Sequence, residues 1–293
     1  MNRTVSIFLL CTLGLSLRVL GQGAPDRISR AKRDASSSEV PISVYRGYLT
    51  VVEGAIGNLN NLHFLIDTGS SPTIIDARLA NEIGMAQAPA RLGLANRTVL
   101  AKQGTLAAIR IGSLRANSVP VLVHDLSGIS RSLGSQIDGV IGLDLLGQSS
   151  FTIDYKSRRL RFGPLQDSPT AISFDTGPPL VTVTVLLGGR RLRLLIDTGA
   201  SALMLFHSRV GALTVTQNIE VASAANMGGQ FRRIKVLFKD AQLGKTKLGP
   251  QIGFIVDDQQ DGGRDFDGVL SLAALRFREI GFDFERRRLM WKP

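Results

Sequence analysis

Cysteine is almost missing from the 293 residues: Cys11 is the single one. It lies in an N-terminal stretch whose removal would leave none. No disulfide framework, thiolate metal site or cysteine nucleophile can then be built. The three histidines, His63, His124 and His207, share no metal-ligand spacing, and no thiolate can assist them. No Gly-x-Ser-x-Gly occurs, which removes the serine elbow of esterases. Aromatic residues make up only 6 % of the chain. A nucleic-acid site would interleave exposed aromatics with its basic groups. Here the basic clusters are short (Arg158-Arg159, Arg190-Arg191, Arg232-Arg233, Arg286-Arg287-Arg288), and most aromatics fall in apolar strand patterns. The net charge of +11 therefore reads as solvated strand faces and turns, with loose attraction to an anionic envelope the most it implies.

Long apolar runs are absent as well. The run from Val5 to Leu17 is short of the roughly 20 residues a spanning helix needs. Arg3 precedes it and "RVLGQGAP" follows, so residues 1–21 read as a secretory signal with cleavage after Gly21. Export is the expectation, to a periplasmic or extracellular location, or to a membrane anchor if the signal stays on. Residues 22–40, "QGAPDRISRAKRDASSSEV", lack apolar periodicity and read as a flexible arm. The remaining chain has ordinary globular composition and ample length for a core.

That remainder repeats itself. "ISVYRGYLTVVEGAIGNLNNLHFLIDTG" (Ile42 to Gly69) aligns without a gap on "ISFDTGPPLVTVTVLLGGRRLRLLIDTG" (Ile172 to Gly199), 130 positions on. "IDGVIGLDLLGQSSFTIDYKSRRLRF" (Ile137 to Phe162) aligns on "FDGVLSLAALRFREIGFDFERRRLMW" (Phe266 to Trp291), 129 positions on. The reading is two lobes, residues 41–163 and 171–293, joined by a compact linker at 164–170 and packed face to face. Both are mainly β: β-branched and apolar residues run into glycine turns. A helix is expected over Asp76 to Met85 with Asp76 as its N-cap, and short helices at "LDLLG" and "LAALRF".

Asp-Thr-Gly occurs three times, and the alignment separates them. Asp67-Thr68-Gly69 and Asp197-Thr198-Gly199 share one place in the repeat, each after an apolar strand. Asp175-Thr176-Gly177 falls at the start of a strand instead, before Pro178 and Pro179, and reads as structural. Two aspartates brought together can share one proton, because both cannot ionise at close range. Such a pair holds a water, deprotonates it with one carboxylate and polarises a carbonyl with the other. Gly69 and Gly199 let the backbone turn beneath the carboxyl groups, and Thr68 and Thr198 can bond across the pseudo-dyad. Ser70, unlike Ala200, can donate to its aspartate, so Asp67 is expected to be the ionised member and Asp197 the protonated one. Asp138, Asp267, Asp154, Asp283 and Asp265 read as loop and turn residues.

The pattern apolar-apolar-Asp-Thr-Gly-Ser/Ala-Ser, followed by Asp-Gly-apolar-apolar, resembles the pepsin and retropepsin group of aspartic proteases. The segment Ile137 to Phe162 is similar to the C-terminal half of retropepsin-like units in bacterial proteins. The resemblance covers residues 41 to 293. It implies an all-β, bilobal acid-protease fold with Asp67 and Asp197 as the catalytic pair and Thr68 and Thr198 as the grip between loops. It also implies no cofactor, no metal, and a peptide or protein substrate bound in extended form by a monomer that is an internal pseudo-dimer. Two departures stand out. Gly142 is replaced by Ser271 in the second copy, and no tyrosine (Tyr45, Tyr48, Tyr155) lies at a flap position. The flap candidates are Leu94 to Ile109 and Ala222 to Ile234, with Gly228 and Gly229 at the second tip. The departures leave open a weakly active or inert peptide-binding relative, and charge with export leaves open an envelope-associated structural β protein.

Overall fold

The computed structural model describes residues 39–93, 98–177, 180–210, 218–226, 229–257, 265–272, 275 and 277–292. The expected signal segment and most of the expected arm lie outside these residues. The described chain is mainly β, as expected, and its strands form one 13-stranded and one 10-stranded sheet.

Each sheet is centred on a strand that ends in an Asp-Thr-Gly loop. Leu59–Ile66 lies antiparallel to Leu49–Ile56 on one side and parallel to Gly139–Ile141 on the other. Arg190–Asp197 lies antiparallel to Leu180–Leu187 and parallel to Gly268–Ser271. Phe64, Leu65 and Ile66 are buried, as are Leu194, Leu195 and Ile196. Strands covered on both faces read as continuous apolar runs, which is why these segments do not alternate. The chain leaves each loop through a short strand, Ile74–Asp76 or Leu203–Phe206, which pairs antiparallel with the Asp-Gly-Val strand. The Asp-Gly-Val strand is therefore wedged between the strands that enter and leave the loop, and a glycine makes the wedge possible. A Cβ on Gly139 would lie 2.8 Å from the Ile74 carbonyl oxygen, and one on Gly268 would collide with that of Met204.

Asp138 and Asp267 lock these wedges. Asp138 donates its N–H to the His63 carbonyl (2.8 Å) and accepts the His63 N–H on its carboxylate (2.8 Å). Asp267 does the same with Arg193, at 2.7 and 2.9 Å. Both aspartates are thus structural, as the sequence suggested. The guanidinium of Arg193 also pairs with Asp265, which ties that residue to the same loop. Asp154 and Asp283 accept the N–H of Ser157 and Arg286 and close equivalent hairpin turns.

The halves meet in a shared sheet. Phe151–Asp154 pairs antiparallel with Glu279–Asp283, and the Phe151 and Phe282 rings stack at 4.8 Å on its inner face. The outer face juxtaposes Asp154 and Glu279, whose repulsion Arg161 relieves by contacting each at 3.4 Å. The arm is shorter than expected: Glu39–Tyr45 is already a strand, paired through Glu39 and Val40 to Arg161 and Leu160, because Val40 has a buried position to fill. The expected helix shrinks to Ala77–Glu82. Asp76 caps it, accepting the Arg78 N–H at 3.0 Å, and Gly84, at φ +64°, turns the chain away before Met85. The helix at "LDLLG" is Leu143–Leu146. Half of "LAALRF" (Ala273, Ala274 and Arg276) lies outside the described residues.

Candidate active site

The two loops face one another at the centre of the molecule. Thr68 and Thr198 each make the same pair of bonds to the opposite half. Thr68 Oγ1 donates to the Ile196 carbonyl (2.9 Å) and accepts the Thr198 N–H (3.1 Å). Thr198 Oγ1 donates to the Ile66 carbonyl (2.9 Å) and accepts the Thr68 N–H (3.0 Å). Four buried backbone groups at strand ends are satisfied this way, each by the other half. The two loops are registered against each other to within hydrogen-bond tolerance.

The carboxyl groups follow from that registration. Gly69 N–H donates to Asp67 Oδ1 at 2.8 Å and Gly199 N–H to Asp197 Oδ1 at 2.6 Å. Each carboxyl also lies over the glycine of the opposite loop. A Cβ on Gly69 would sit 2.5 Å from Asp197 Cγ, and one on Gly199 2.8 Å from Asp67 Cγ. Only glycine allows that approach. Asp67 and Asp197 are 1 % and 0 % exposed and hydrogen-bond to one another. Burial, then the negative charge of Asp197, then the bond between the two side chains push the Asp67 carboxyl well above the usual range. The N–H groups of Gly69 and Gly199 oppose this. The raised titration belongs to the pair.

The shared proton is held by the coupled pair as a unit. Burial and the facing charge are the dominant influences, and both favour one proton held between the two carboxyl groups. The Ser70 hydroxyl, wholly buried, reaches the Pro72 carbonyl at 3.4 Å. Ser271, which stands where the first half has Gly142, is accommodated: its hydroxyl donates to the Ala200 carbonyl at 2.5 Å. In the first half the corresponding Ser70 carbonyl takes the Leu143 N–H at 2.8 Å, and a Cβ on Gly142 would lie 2.6 Å from it. Glycine is needed there and not at Ser271.

Asp175 stands apart from the loops. It starts the strand Asp175–Gly177, pairs with Thr182 and is exposed. The flap candidates are hairpins. The first is built of Ala88–Gly93 and Thr98–Ile111, so its outgoing strand precedes the stretch expected from sequence. The second is built of Asn218–Asn226 and Gly229–Phe238. Gly229 opens its return strand, opposite Asn226, and Gly228 lies outside the described residues. Sequence reasoning missed Tyr48. It is buried in the first half, yet its phenol hydrogen-bonds to the Ser201 side chain beside the second loop. Burial pushes that phenol up, and the Ser201 bond acts against it. Thr73 and Asp144, behind the first loop, were missed too; only the Gly-Leu-Asp run after the Asp-Gly-Val segment hinted at them.

The two loops thus lie on a mainly β fold of the acid-protease type. Residues 52–145 match the family model described as aspartyl protease, of retropepsin-like type. The matched stretch contains Asp67 and the first Asp-Gly-Val segment. No curated protein matches the chain.

Proposed function

We propose that the protein is an exported aspartic endopeptidase working as a single chain, with Asp67 and Asp197 as its catalytic pair. The reading is carried by the contact of the two carboxyl groups over each other's glycines, buried and with a raised titration. One shared proton leaves the pair with one basic and one acidic oxygen. The basic oxygen takes a proton from a bound water as the water oxygen bonds to the scissile carbonyl carbon. The acidic one gives its proton to the carbonyl oxygen. Transfer of a proton to the amide nitrogen then lets the carbon–nitrogen bond break, and the shared proton is restored. Peptide substrates would lie extended between the two hairpins and the loops, using backbone hydrogen bonds. Apolar residues on either side of the cut fit the apolar strands that flank the pair. The satisfied hydroxyl of Ser271 favours this over an inert peptide-binding relative. Export rests on residues 1–21, and loose association with an anionic envelope on the net charge of +11.

The test is proteolysis of an unfolded protein at mildly acid pH, with and without a statine-type inhibitor. Wild type should cleave and be inhibited. Asp67→Asn and Asp197→Asn should each lose about 10²–10⁴-fold in kcat. A folded wild type that binds the inhibitor and cleaves nothing would refute the enzyme reading.

A further inference from the structure

Behind the Asp67 loop lies a buried polar group that the reaction does not use. Asp144 Oδ1 accepts two bonds from Thr73, one from the N–H (3.0 Å) and one from the hydroxyl (2.8 Å). Thr73 Oγ1 in turn accepts the Gly142 N–H at 3.1 Å. Ser70, whose carbonyl touches Gly142 and Leu143, is three residues before Thr73. The loop that carries Asp67 is thus fastened to the turn after the Asp-Gly-Val segment by one carboxyl group.

The other oxygen is an anomaly. Asp144 Oδ2 is buried and has no partner, and neither has Gln148 Oε1, one turn further on. The Gln148 amide nitrogen is already committed to the Asp144 carbonyl at 3.0 Å. This turn therefore holds two buried acceptor atoms that each lack a donor, and leaving such groups unmade is costly. Among the described residues no cation pairs with Asp144. The groups against its carboxyl are Thr73, the Leu145 backbone and the helix turn itself, and the ionisable groups across the loop are those of the catalytic pair. An ionised carboxylate here would be a buried charge without an ion partner, held only by the Thr73 bonds and by backbone N–H groups.

We infer that Asp144 is a positioning residue for Asp67, acting as a neutral carboxyl whose Oδ1 clamps Thr73 and whose Oδ2 carries a proton. The proton supplies the donor this turn lacks. Burial, which pushes the Asp144 carboxyl above its ordinary range against the Thr73 bonds, acts in the same direction. The clamp belongs to the first half only. The aligned positions of the second are Leu203 and Ala273, and there Ser271 fastens the loop instead. The role in catalysis rests on the proteolytic reading above; the clamp itself does not.

Asparagine reproduces a neutral aspartate at this site: its oxygen can take both Thr73 bonds and its amide supplies a permanent donor. Asp144→Asn should keep the wild-type kcat and extend activity to higher pH. Asp144→Ala should lose about tenfold or more in kcat with KM little changed, since a slight displacement of a reacting group is enough. Denaturant stability measured against pH is the second readout. Asp144 neutral in the fold and ionised when unfolded means that stability falls as pH rises above the ordinary aspartate range. Asp144→Asn should remove that part of the slope, gaining on wild type toward neutral pH. Parallel curves for wild type and Asp144→Asn would overturn the neutral clamp. Wild-type kcat in Asp144→Ala would overturn the positioning role. A wild type that cleaves nothing would sink the proteolytic reading alone, and the stability curves would still decide the clamp.

Discussion

At the scale of single residues, each active loop depends on groups that have no substitute. Thr198→Val removes the hydroxyl that serves both Ile66 and Thr68. Two buried backbone groups lose their partner, so stability in urea should fall by about 2–4 kcal/mol, with activity falling too. Gly69→Ala places a methyl group against the Asp197 carboxyl. The chain should still fold, since the change is local, and proteolysis should be lost. The pair Gly142 and Ser271 gives an asymmetric prediction. Ser271→Gly gives up one hydrogen bond and should cost about 1 kcal/mol. Gly142→Ser drives a Cβ into the Ser70 carbonyl and should cost more and impair activity; comparable melts for the two would refute the account. The carboxyl pair and its glycines could be read from sequence, because the tripeptide and its place in the repeat are local facts. Tyr48 could not, because its hydroxyl meets a side chain more than 150 positions away.

The elements that matter most are those shared between halves. Phe282 stacks on Phe151 at 4.8 Å inside the common sheet, and both are fully buried. Phe282→Ala should destabilise the protein by about 3–5 kcal/mol, read from denaturant unfolding, because the cavity opens where two halves must close on each other. The hairpin turns of this sheet were legible: Asp154 and Asp283 precede basic turn residues, and Arg158 and Arg287 take the left-handed backbone that the turns require, at φ +55° and +53°. The limits of the arm and of the first helix were not. Val40 joins a strand because a buried slot awaits it, and the helix stops at Glu82 because Gly84 turns the chain away. The buried slot for Val40 is not contained in the local pattern, whereas Gly84 is.

For the whole molecule, the central consequence is a dependence on pH. A carboxyl held well above its ordinary value keeps a proton in the fold that it releases when unfolded. The fold therefore gains from that proton at acid pH, and the gain is lost as pH rises from the ordinary aspartate value through the raised one of the pair. The melting temperature should accordingly decline from mildly acid toward neutral pH, and Asp67→Asn should flatten the decline. A wild-type curve that climbs over this range would contradict the burial argument. By itself the sequence determined the class of fold, the two Asp-Thr-Gly loops and the structural standing of Asp175, because strand periodicity, turn chemistry and an internal alignment are all written along the chain. Only the tertiary structure decided that the two carboxyl groups meet buried, that the Ser271 hydroxyl finds the Ala200 carbonyl, and that Asp144 bonds Thr73. Those depend on burial and on which carbonyl lies within reach, and both are set by segments that meet only when the two halves are packed.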